Sequence, residues 1–367
     1  MTTIETLNKS AEIKEQYKKY IGRRVGFILI LLPVIALFIG ISSSLGSADV
    51  SLRDVYASII NKFFPGSFET NWLAEVCVWK LRFPRIFMGI LAGIGLGAAG
   101  CVMQGTLRNP LADPYMLGIA SSAGFGASLA ILFGAGILKG FGGQYLVIGN
   151  AFIFALLCSG IILGLSSRKG ATPESMILTG IAMMFLFSAM TTLLQYFAEA
   201  EAVKAAVFWM VGDLGKSSWE KLGIVAVVTI FCIPILIWKS WDLNIMSSGD
   251  ESAKSLGVKV GQTRIIIMVV SSLLVASIVC FTGTIGFVGL VAPHICRMVI
   301  GGDNRFLVPA SALVGAVLLV LSDTVARTIM SPIILPVGVI TAFLGVPFFI
   351  YLIMKVIPFI NLLNPLN

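Results

Sequence analysis

Long apolar runs without a single charged residue dominate this sequence and restrict the folds it can adopt. A helix needs about 20 apolar residues to cross the hydrocarbon core of a bilayer, and inside that core its backbone groups must be satisfied within the helix. Nine runs meet this requirement and are the predicted membrane spans: Val25–Ala48, Ile86–Leu107, Pro114–Leu138, Gly140–Ser167, Ser175–Ala198, Leu222–Trp238, Ile265–Cys296, Phe306–Ser322 and Thr328–Met354.

The run Ile265–Cys296 is too long for one helix. Glycines and Pro293 interrupt it, and both residue types disfavour a continuous helix, so we place a break at 282–286 and predict about ten spans. Composition agrees, because 57% of the 367 residues are hydrophobic and 12% are charged, against about 25% charged in soluble domains. The sequence predicts an all-α polytopic membrane protein and excludes a soluble enzyme or a nucleic-acid-binding chain.

The basic residues predict the orientation of the chain. With the N-terminus inside, 16 of the 26 lysines and arginines fall in cytoplasmic loops, as the positive-inside rule requires. An even number of spans then gives an N-in, C-in protein, and the first span has no cleavage site and is expected to be retained. We divide the chain into a cytoplasmic segment 1–24, a transmembrane domain 25–358 and a cytoplasmic tail 359–367.

The sequence lacks the usual motifs of metal or nucleotide chemistry. Six cysteines lie mostly in apolar stretches without a C-x-x-C pair, and His294 is the only histidine, so neither a disulfide framework nor a zinc site is expected. We interpret His294 as structural, at a helix start after Pro293. The Gly215–Ser217 tripeptide resembles part of a phosphate-binding loop, but Met210 stands where that loop needs glycine. We expect no cofactor, no ATP hydrolysis by this chain and no enzyme activity.

Ionisable groups are scarce inside the predicted spans. Asp323 is the main exception, one turn before Arg327 on the same helix face. Ion-coupled carriers usually place acids or histidines within the membrane as a relay, so an ion-coupled secondary transporter is disfavoured. A membrane-embedded enzyme would need a cluster of titratable or metal-binding residues, and none is visible.

Four of the ten basic residues on the predicted outer side lie at the ends of two spans, against the positive-inside bias. Lys80, Arg82 and Arg85 precede the second span, and Arg327 lies at the outer end of the ninth. Such residues can extend to lipid headgroups, or they can form a docking surface for an acidic soluble partner, since complementary charge steers encounter. The departure from the bias favours docking.

Glycines recur every four residues in the second span, at Gly89, Gly93 and Gly97. Small residues at this spacing allow helix backbones to approach closely. They predict helix packing rather than chemistry.

Three blocks of sequence carry a family resemblance. The first contains Leu81–Arg85, Gly97–Gly100, Gln104 and Arg108–Pro114 with Leu117 and Gly118; the second Gly283–Leu290, Pro293, His294, Arg297, Asp323 and Arg327; the third Leu335–Gly338, Thr341 and Gly345–Phe349. With these blocks, residues 81–350 resemble the FecCD-type permeases of ATP-binding cassette (ABC) importers, which carry iron chelates, haem and vitamin B12.

The resemblance implies a fold and a set of partners. It implies a homodimeric type II importer permease with the translocation path along the dimer axis. Two ATP-binding cassette ATPase subunits would dock from the cytoplasm, and an extracytoplasmic substrate-binding protein would deliver the ligand. In the vitamin B12 importer of this family, arginines matching Arg82, Arg85 and Arg327 bind acidic residues of the binding protein.

Two cytoplasmic segments match functional regions of the family. Ser247–Val258, within a loop at about 243–262, is similar to the coupling loop of the family, which consists of two short helices that rest on the ATPase. Without the resemblance, its residues would indicate only a solvated connection between two spans. Ala171–Ser175 matches the cytoplasmic gate region of the family. Pro173 and Glu174 stand where the B12 importer carries hydroxyl residues, and Glu174 can equally be an ordinary acidic residue of a loop. The coupling residues are Gly249, Asp250, Glu251, Ala253, Leu256 and Gly257, and the gate residues are Thr172, Pro173, Glu174 and Ser175.

The resemblance leaves the substrate open, because a mostly apolar path gives little information about the ligand. The expected function is import of an iron(III) chelate, a siderophore or haem, across the cytoplasmic membrane, driven by a separate ATPase. Vitamin B12 (cobalamin) is the alternative, and a smaller oxyanion is a third candidate.

Overall fold

A computed structural model describes residues 3–46, 50–136, 143–168 and 170–363. These residues form fourteen α-helices and one short π-helical segment, and no strand occurs among them. The helices are α1 Thr3–Ser44, α2 Leu52–Phe63, α3 Trp72–Val76, the π-helical segment Cys77–Arg82, α4 Phe83–Leu107, α5 Ile119–Phe133, α6 Gln144–Ser167, α7 Pro173–Tyr196, α8 Ala200–Met210, α9 Trp219–Met246, α10 Asp250–Ser255, α11 Val260–Thr282, α12 Val288–Ile300, α13 Asn304–Thr328 and α14 Val337–Leu363.

Each predicted span corresponds to one of these helices, which confirms the all-α polytopic membrane fold. Within the described residues, seven helical stretches are long and apolar enough to cross a bilayer, in α1, α3–α4, α6, α7, α9, α11 and α13. Three shorter apolar helices, α5, α12 and the first part of α14, complete the ten. The long run Ile265–Cys296 breaks between α11 and α12, as predicted.

The helices and the charge-free runs do not share boundaries. Helix α1 begins at Thr3 rather than near Val25, and α14 begins at Val337 because α13 continues to Thr328. A charge-free run measures how apolar a segment is, whereas a helix continues through polar residues until a cap or a breaker ends it. For the same reason the short helices α2, α3 and α8 have no counterpart among the predicted spans.

Helix α4 lies at the centre of the bundle, and glycines let it touch α13. A Cβ atom added at Gly93 would collide with the backbone of Gly315, and one at Gly97 would collide with the carbonyl of Ser311. The predicted packing role holds for these two glycines, whereas Gly89 meets only side chains at ordinary distances.

A polar clasp joins α1, α9 and α13 at one end of the bundle. Arg24 Nη1 donates to Asp303 Oδ2 at 2.9 Å, and Asn244 Nδ2 donates to Asp303 Oδ1 at 2.7 Å. The Arg305 side chain also donates to both oxygens, and this lowers the pKa of Asp303 to about 2. The clasp places the start of the first span beside the loop between α12 and α13.

Candidate functional site

Two groups of charged residues lie at the opposite ends of α4. With 25 residues and a rise of 1.5 Å per residue, the helix separates them by roughly 37 Å. Burying an unpaired charge is costly. The hydrogen-bond partners of the buried charged side chains therefore show which polar contacts the fold requires. Among the described residues, the buried charged residues are Arg24, Arg82, Arg85, Arg264, Arg327 and Asp323.

The arginine pocket is a cavity of about 550 Å³ at the end of the bundle where α4 begins. Arg82 from the π-helical segment, Arg85 from α4 and Arg327 from α13 line it, together with Asp213 and Lys216. The sequence prediction that these three arginines lie together agrees with the structure. They do not form an exposed rim, however, since they are 4%, 7% and 4% exposed.

Asp323 is shared between two of these arginines. Arg85 Nε donates to Oδ1 at 2.8 Å, and Arg327 Nε donates to Oδ2 at 3.0 Å. The contact with Arg327 matches their spacing of one helical turn. The contact with Arg85 has no local signal, because 238 positions separate the two residues in the chain.

The C-terminal end of α1 accepts hydrogen bonds from two of the three arginines. Arg82 Nη1 donates to the carbonyl of Ser43 at 2.7 Å, and Arg327 donates to the carbonyls of Ser42 and Leu45 at 3.0 and 2.8 Å. The last carbonyls of a helix lack intrahelical partners and carry partial negative charge. Two of the three arginines therefore cap α1, and docking of a binding protein at this pocket remains a prediction.

The mouth of the pocket carries both signs of charge. Asp213 Oδ1 lies 3.9 Å from Arg85 Nη2 and accepts a hydrogen bond from the Gly215 amide at 2.7 Å. Lys216 is exposed. A ligand or partner approaching this end would meet the lysine and the aspartate before the arginines.

The coupling segment contains one short helix, α10, rather than the expected two. Gly249 and Gly257 bracket it with φ of +114° and +85°, a backbone region that glycine enters without steric cost. The chain enters the long helix α11 at Val260, directly after this segment.

Helix α10 presents one buried residue and an exposed face. Ala253 packs with Met246 and Val260, whereas Glu251 is exposed and pairs with Lys254 at 2.8 Å. Leu256 directly follows the helix and is 69% exposed. An exposed leucine in a polar loop outside the spans is a suitable contact for a soluble partner.

Asp250, the first residue of α10, is held by two arginines. Arg108 Nη2 donates to its carboxylate, and Arg264 Nη2 donates to Oδ1 at 3.0 Å. Partial burial raises the pKa of Asp250, but the bonds and charges of Arg264 and Arg108 outweigh it, so the pKa lies below its usual value. The carboxylate therefore stays ionised and keeps α10 against the bundle.

The predicted gate residues form the start of α7. Thr172 Oγ1 accepts from the Ser175 amide at 3.3 Å, Pro173 occupies the first helical position, and Glu174 is exposed in the first turn. Threonine as N-cap and proline at the first position are ordinary helix-start residues. Helix initiation is enough to explain why these residue types occur here, and a gating role for them remains a prediction.

One contact between the gate segment and the coupling segment was not predicted. Arg264 Nη1 donates to the carbonyl of Ala171 at 2.7 Å, and Arg264 itself is 1% exposed. A single charge in the first turns of an otherwise apolar helix was the available signal, but it does not identify a partner 93 positions away.

Metal-binding clusters are absent from the described part of the chain. No group of three or more histidine, cysteine, aspartate or glutamate side chains occurs there. His294 lies inside α12, which begins at Val288 rather than at His294, and its Nδ1 lies 3.1 Å from the Leu290 carbonyl. His294 is therefore not a helix-start residue, and a structural role for it remains a prediction.

Comparison with known proteins gives matches over nearly the whole chain. The model of the FecCD transport family matches residues 32–355. A protein of Methanocaldococcus jannaschii named as an ABC transporter permease is 45% identical over 94% of this chain and 98% of its own.

Two further relatives carry substrate names. The hemin transport system permease of Yersinia pestis is 35% identical, covering 90% of this chain and 95% of its own. The cobalamin import permease of Halobacterium salinarum is 38% identical, covering 79% and 76%. A solved structure described as an inward-facing conformation of a metal-chelate type ABC transporter is 32% identical with a TM-score of 0.78, covering 89% of this chain and 98% of that one.

Proposed function

Since the chain belongs to the FecCD transport family and is an ABC importer permease, we propose that it imports an iron(III) chelate, a siderophore or haem. It is the membrane-spanning subunit, in the cytoplasmic membrane, and it performs no chemistry on the ligand. Its ATPase subunits hydrolyse ATP, and a substrate-binding protein delivers the chelate from outside.

The observation that carries the role of permease subunit is the geometry of α10. The helix lies outside the membrane-spanning helices, two arginines hold its first residue, and Leu256 is exposed beside it. A firmly held surface with an exposed apolar residue can receive force from a soluble subunit. We assign this surface to the ATPase, and the gate to Thr172–Ser175.

The substrate assignment follows the relatives. The hemin permease aligns over 90% of this chain and 95% of its own length. The cobalamin relative supports vitamin B12 import as the second candidate, over a smaller share of both chains. An ion-coupled carrier is disfavoured because Asp323, which lies within α13 and is 2% exposed, is paired with Arg85 and Arg327.

Uptake by intact cells tests the substrate. A strain of the source organism lacking this gene is supplied with labelled ferric siderophore, haem or cobalamin, with and without the restored gene. We expect restoration to recover uptake of the siderophore or of haem. Recovery of cobalamin alone supports the second candidate, and recovery of none of the three contradicts both.

We assign the arginine pocket to docking of the binding protein, whose acidic side chains would enter it. Reversal of charge at the arginines would also break the caps of α1, so Lys216→Glu, which leaves those bonds intact, is the cleaner variant. We expect it to weaken binding by at least about tenfold, the equivalent of 1.4 kcal/mol. Lys204→Glu is the control, because Lys204 is exposed and does not line the pocket. Equal affinities for both variants would argue against docking here.

We also propose that two copies form the translocation path, as the family resemblance implies. Light scattering of the purified chain, corrected for detergent, gives its mass. A dimer is the expected result. A monomeric mass in the transporting complex would contradict it.

A further inference from the structure

Arg264 is the most deeply buried charged side chain at the end of the bundle that carries α10. It is 1% exposed and lies near the start of α11. Arginine keeps its charge at every accessible pH, and a buried guanidinium without partners is strongly unfavourable. Its hydrogen bonds therefore have to be maintained, or replaced together, whenever the surrounding helices move.

Those bonds lead to two different segments. On one side, Nη1 and Nη2 face the carboxylate of Asp250 at 3.0 to 3.3 Å. On the other, Nη1 donates to the Ala171 carbonyl at 2.7 Å. Asp250 is the first residue of α10, and Ala171 directly precedes the N-cap of α7.

The backbone conformation of Ala171 fixes the direction of its carbonyl group. Its φ is +52°, in the left-handed region, and its amide donates to the Ser166 carbonyl at 2.8 Å, which closes the end of α6. A residue without a glycine's freedom adopts this conformation only when its surroundings hold it there. Its carbonyl thus points at Arg264 from a fixed position.

No other side chain among the described residues has a hydrogen bond to both segments. Arg108 also contacts Asp250, but its second bond goes to the Met246 carbonyl at 3.0 Å, at the end of α9. Arg264 Nε has no hydrogen-bond partner there. Asp250 and Ala171 therefore account for its hydrogen bonds.

From these contacts we infer that Arg264 is a positioning residue that transmits displacement of α10 to the start of α7. The guanidinium is planar and its donors have fixed relative directions. Movement of the Asp250 carboxylate therefore reorients the donor that holds Ala171. This inference rests on the proposed function, since it assumes that an ATPase moves α10 and that Thr172–Ser175 form the gate.

The test uses the complete complex, with this chain, its ATPase subunits and its binding protein in proteoliposomes. The probes are radiolabelled ferric siderophore and haem, and both transport and ATP hydrolysis are measured. Arg264→Lys keeps the charge but loses the planar fork, and Arg264→Gln loses both. Arg168→Gln is the matched control, an exposed arginine in the same loop as Ala171.

We expect both Arg264 variants to transport about tenfold less substrate per ATP hydrolysed, within the range of known couplings between sites. Their ATP hydrolysis should persist, and the control should match the wild type. An unchanged ratio of substrate transported to ATP hydrolysed would overturn the inference. This includes the case in which hydrolysis falls in proportion to transport. If neither variant assembles, Asp250→Asn provides the same test from the other side of the contact.

A spectroscopic readout separates transmission from folding. The six native cysteines are buried, so an environment-sensitive fluorophore can be attached at Glu174→Cys, an exposed position in α7. ATP binding should change its emission in the wild-type background and in Arg168→Gln, but not in Arg264→Gln. Persistence of the change in Arg264→Gln, or its absence in the wild type, counts against the inference. Failure of the wild-type complex to transport either probe would instead contradict the proposed function.

Discussion

Arg85 and Asp323 form a buried ion pair between α4 and α13, with Arg85 Nη2 2.8 Å from Asp323 Oδ1. Asp323 is 2% exposed and also accepts from Arg327. One carboxylate therefore compensates part of the charge of two guanidinium groups in a region that also satisfies the end of α1.

Substitution Asp323→Asn should destabilise the protein strongly. The amide has nearly the same size but no charge, and removing one partner of a buried ion pair typically costs about 3–5 kcal/mol. We expect a clear fall in the midpoint of thermal unfolding of the detergent-solubilised protein. Glu69→Gln, at an exposed loop position, should leave the midpoint unchanged, and equal midpoints for the two variants would refute the role assigned to Asp323.

Substitution Gly97→Ala should destabilise the contact between α4 and α13. The added methyl group would meet the carbonyl of Ser311, and overpacking of a close contact typically costs about 1–3 kcal/mol. Gly160→Ala in α6 is a matched control, because nothing lies near its Cβ position and alanine favours a helix by up to about 1 kcal/mol. Thermal unfolding should therefore shift in opposite directions in the two variants.

Asp113, in the loop between α4 and α5, should make stability depend on pH. Burial raises its pKa to about 6, although a hydrogen bond from the Tyr115 amide opposes the shift. Between about pH 6 and pH 4 the folded protein then binds a proton that the unfolded chain does not, so its stability should rise as the pH falls. The difference in unfolding midpoint between wild type and Asp113→Asn should change across this window. A constant difference from pH 7.5 to pH 4 would show that the carboxyl group does not titrate there.

Substitution Leu256→Asp should weaken binding of the ATPase without unfolding this chain. Leu256 is 69% exposed, so a polar residue costs little within the isolated chain, whereas a buried charge at an interface is unfavourable. Co-purification with the ATPase subunits should fall, while the thermal midpoint of the chain alone should not. Lys18→Glu, at an exposed position of α1, changes charge on a different helix from α10 and should have no effect on co-purification. Retention of the ATPase by Leu256→Asp would place its contact surface elsewhere.

Features of the structure that depend on a local sequence pattern could be predicted from the sequence. Charge-free runs located the seven long apolar helices and the three shorter ones, glycine spacing identified the close packing at Gly93 and Gly97, and a spacing of one turn placed Asp323 and Arg327 on one helix face. Each of these depends on residues that are close in the chain. Helix periodicity and hydrocarbon thickness convert such patterns into structure without further information.

The unpredicted features depend on contacts across the bundle. The pair of Arg85 with Asp323 spans 238 positions, and the bond from Arg264 to the Ala171 carbonyl spans 93. A sequence shows that an arginine lies near the end of an apolar segment, but not which carbonyl or carboxylate the fold brings beside it. For the same reason the buried state of Arg82 and Arg327 depended on where α1 ends.

The close contact of α4 with α13 has a consequence for transport. Backbone meets backbone at Gly93 and Gly315, so the two helices cannot slide past each other without opening a void or a clash. We expect them to move as one rigid body, carrying Arg85, Asp323 and Arg327 together. The hinges of an alternating-access cycle must then lie in other helices, and a binding protein would meet Arg85, Asp323 and Arg327 in the same arrangement before and after each round of ATP hydrolysis.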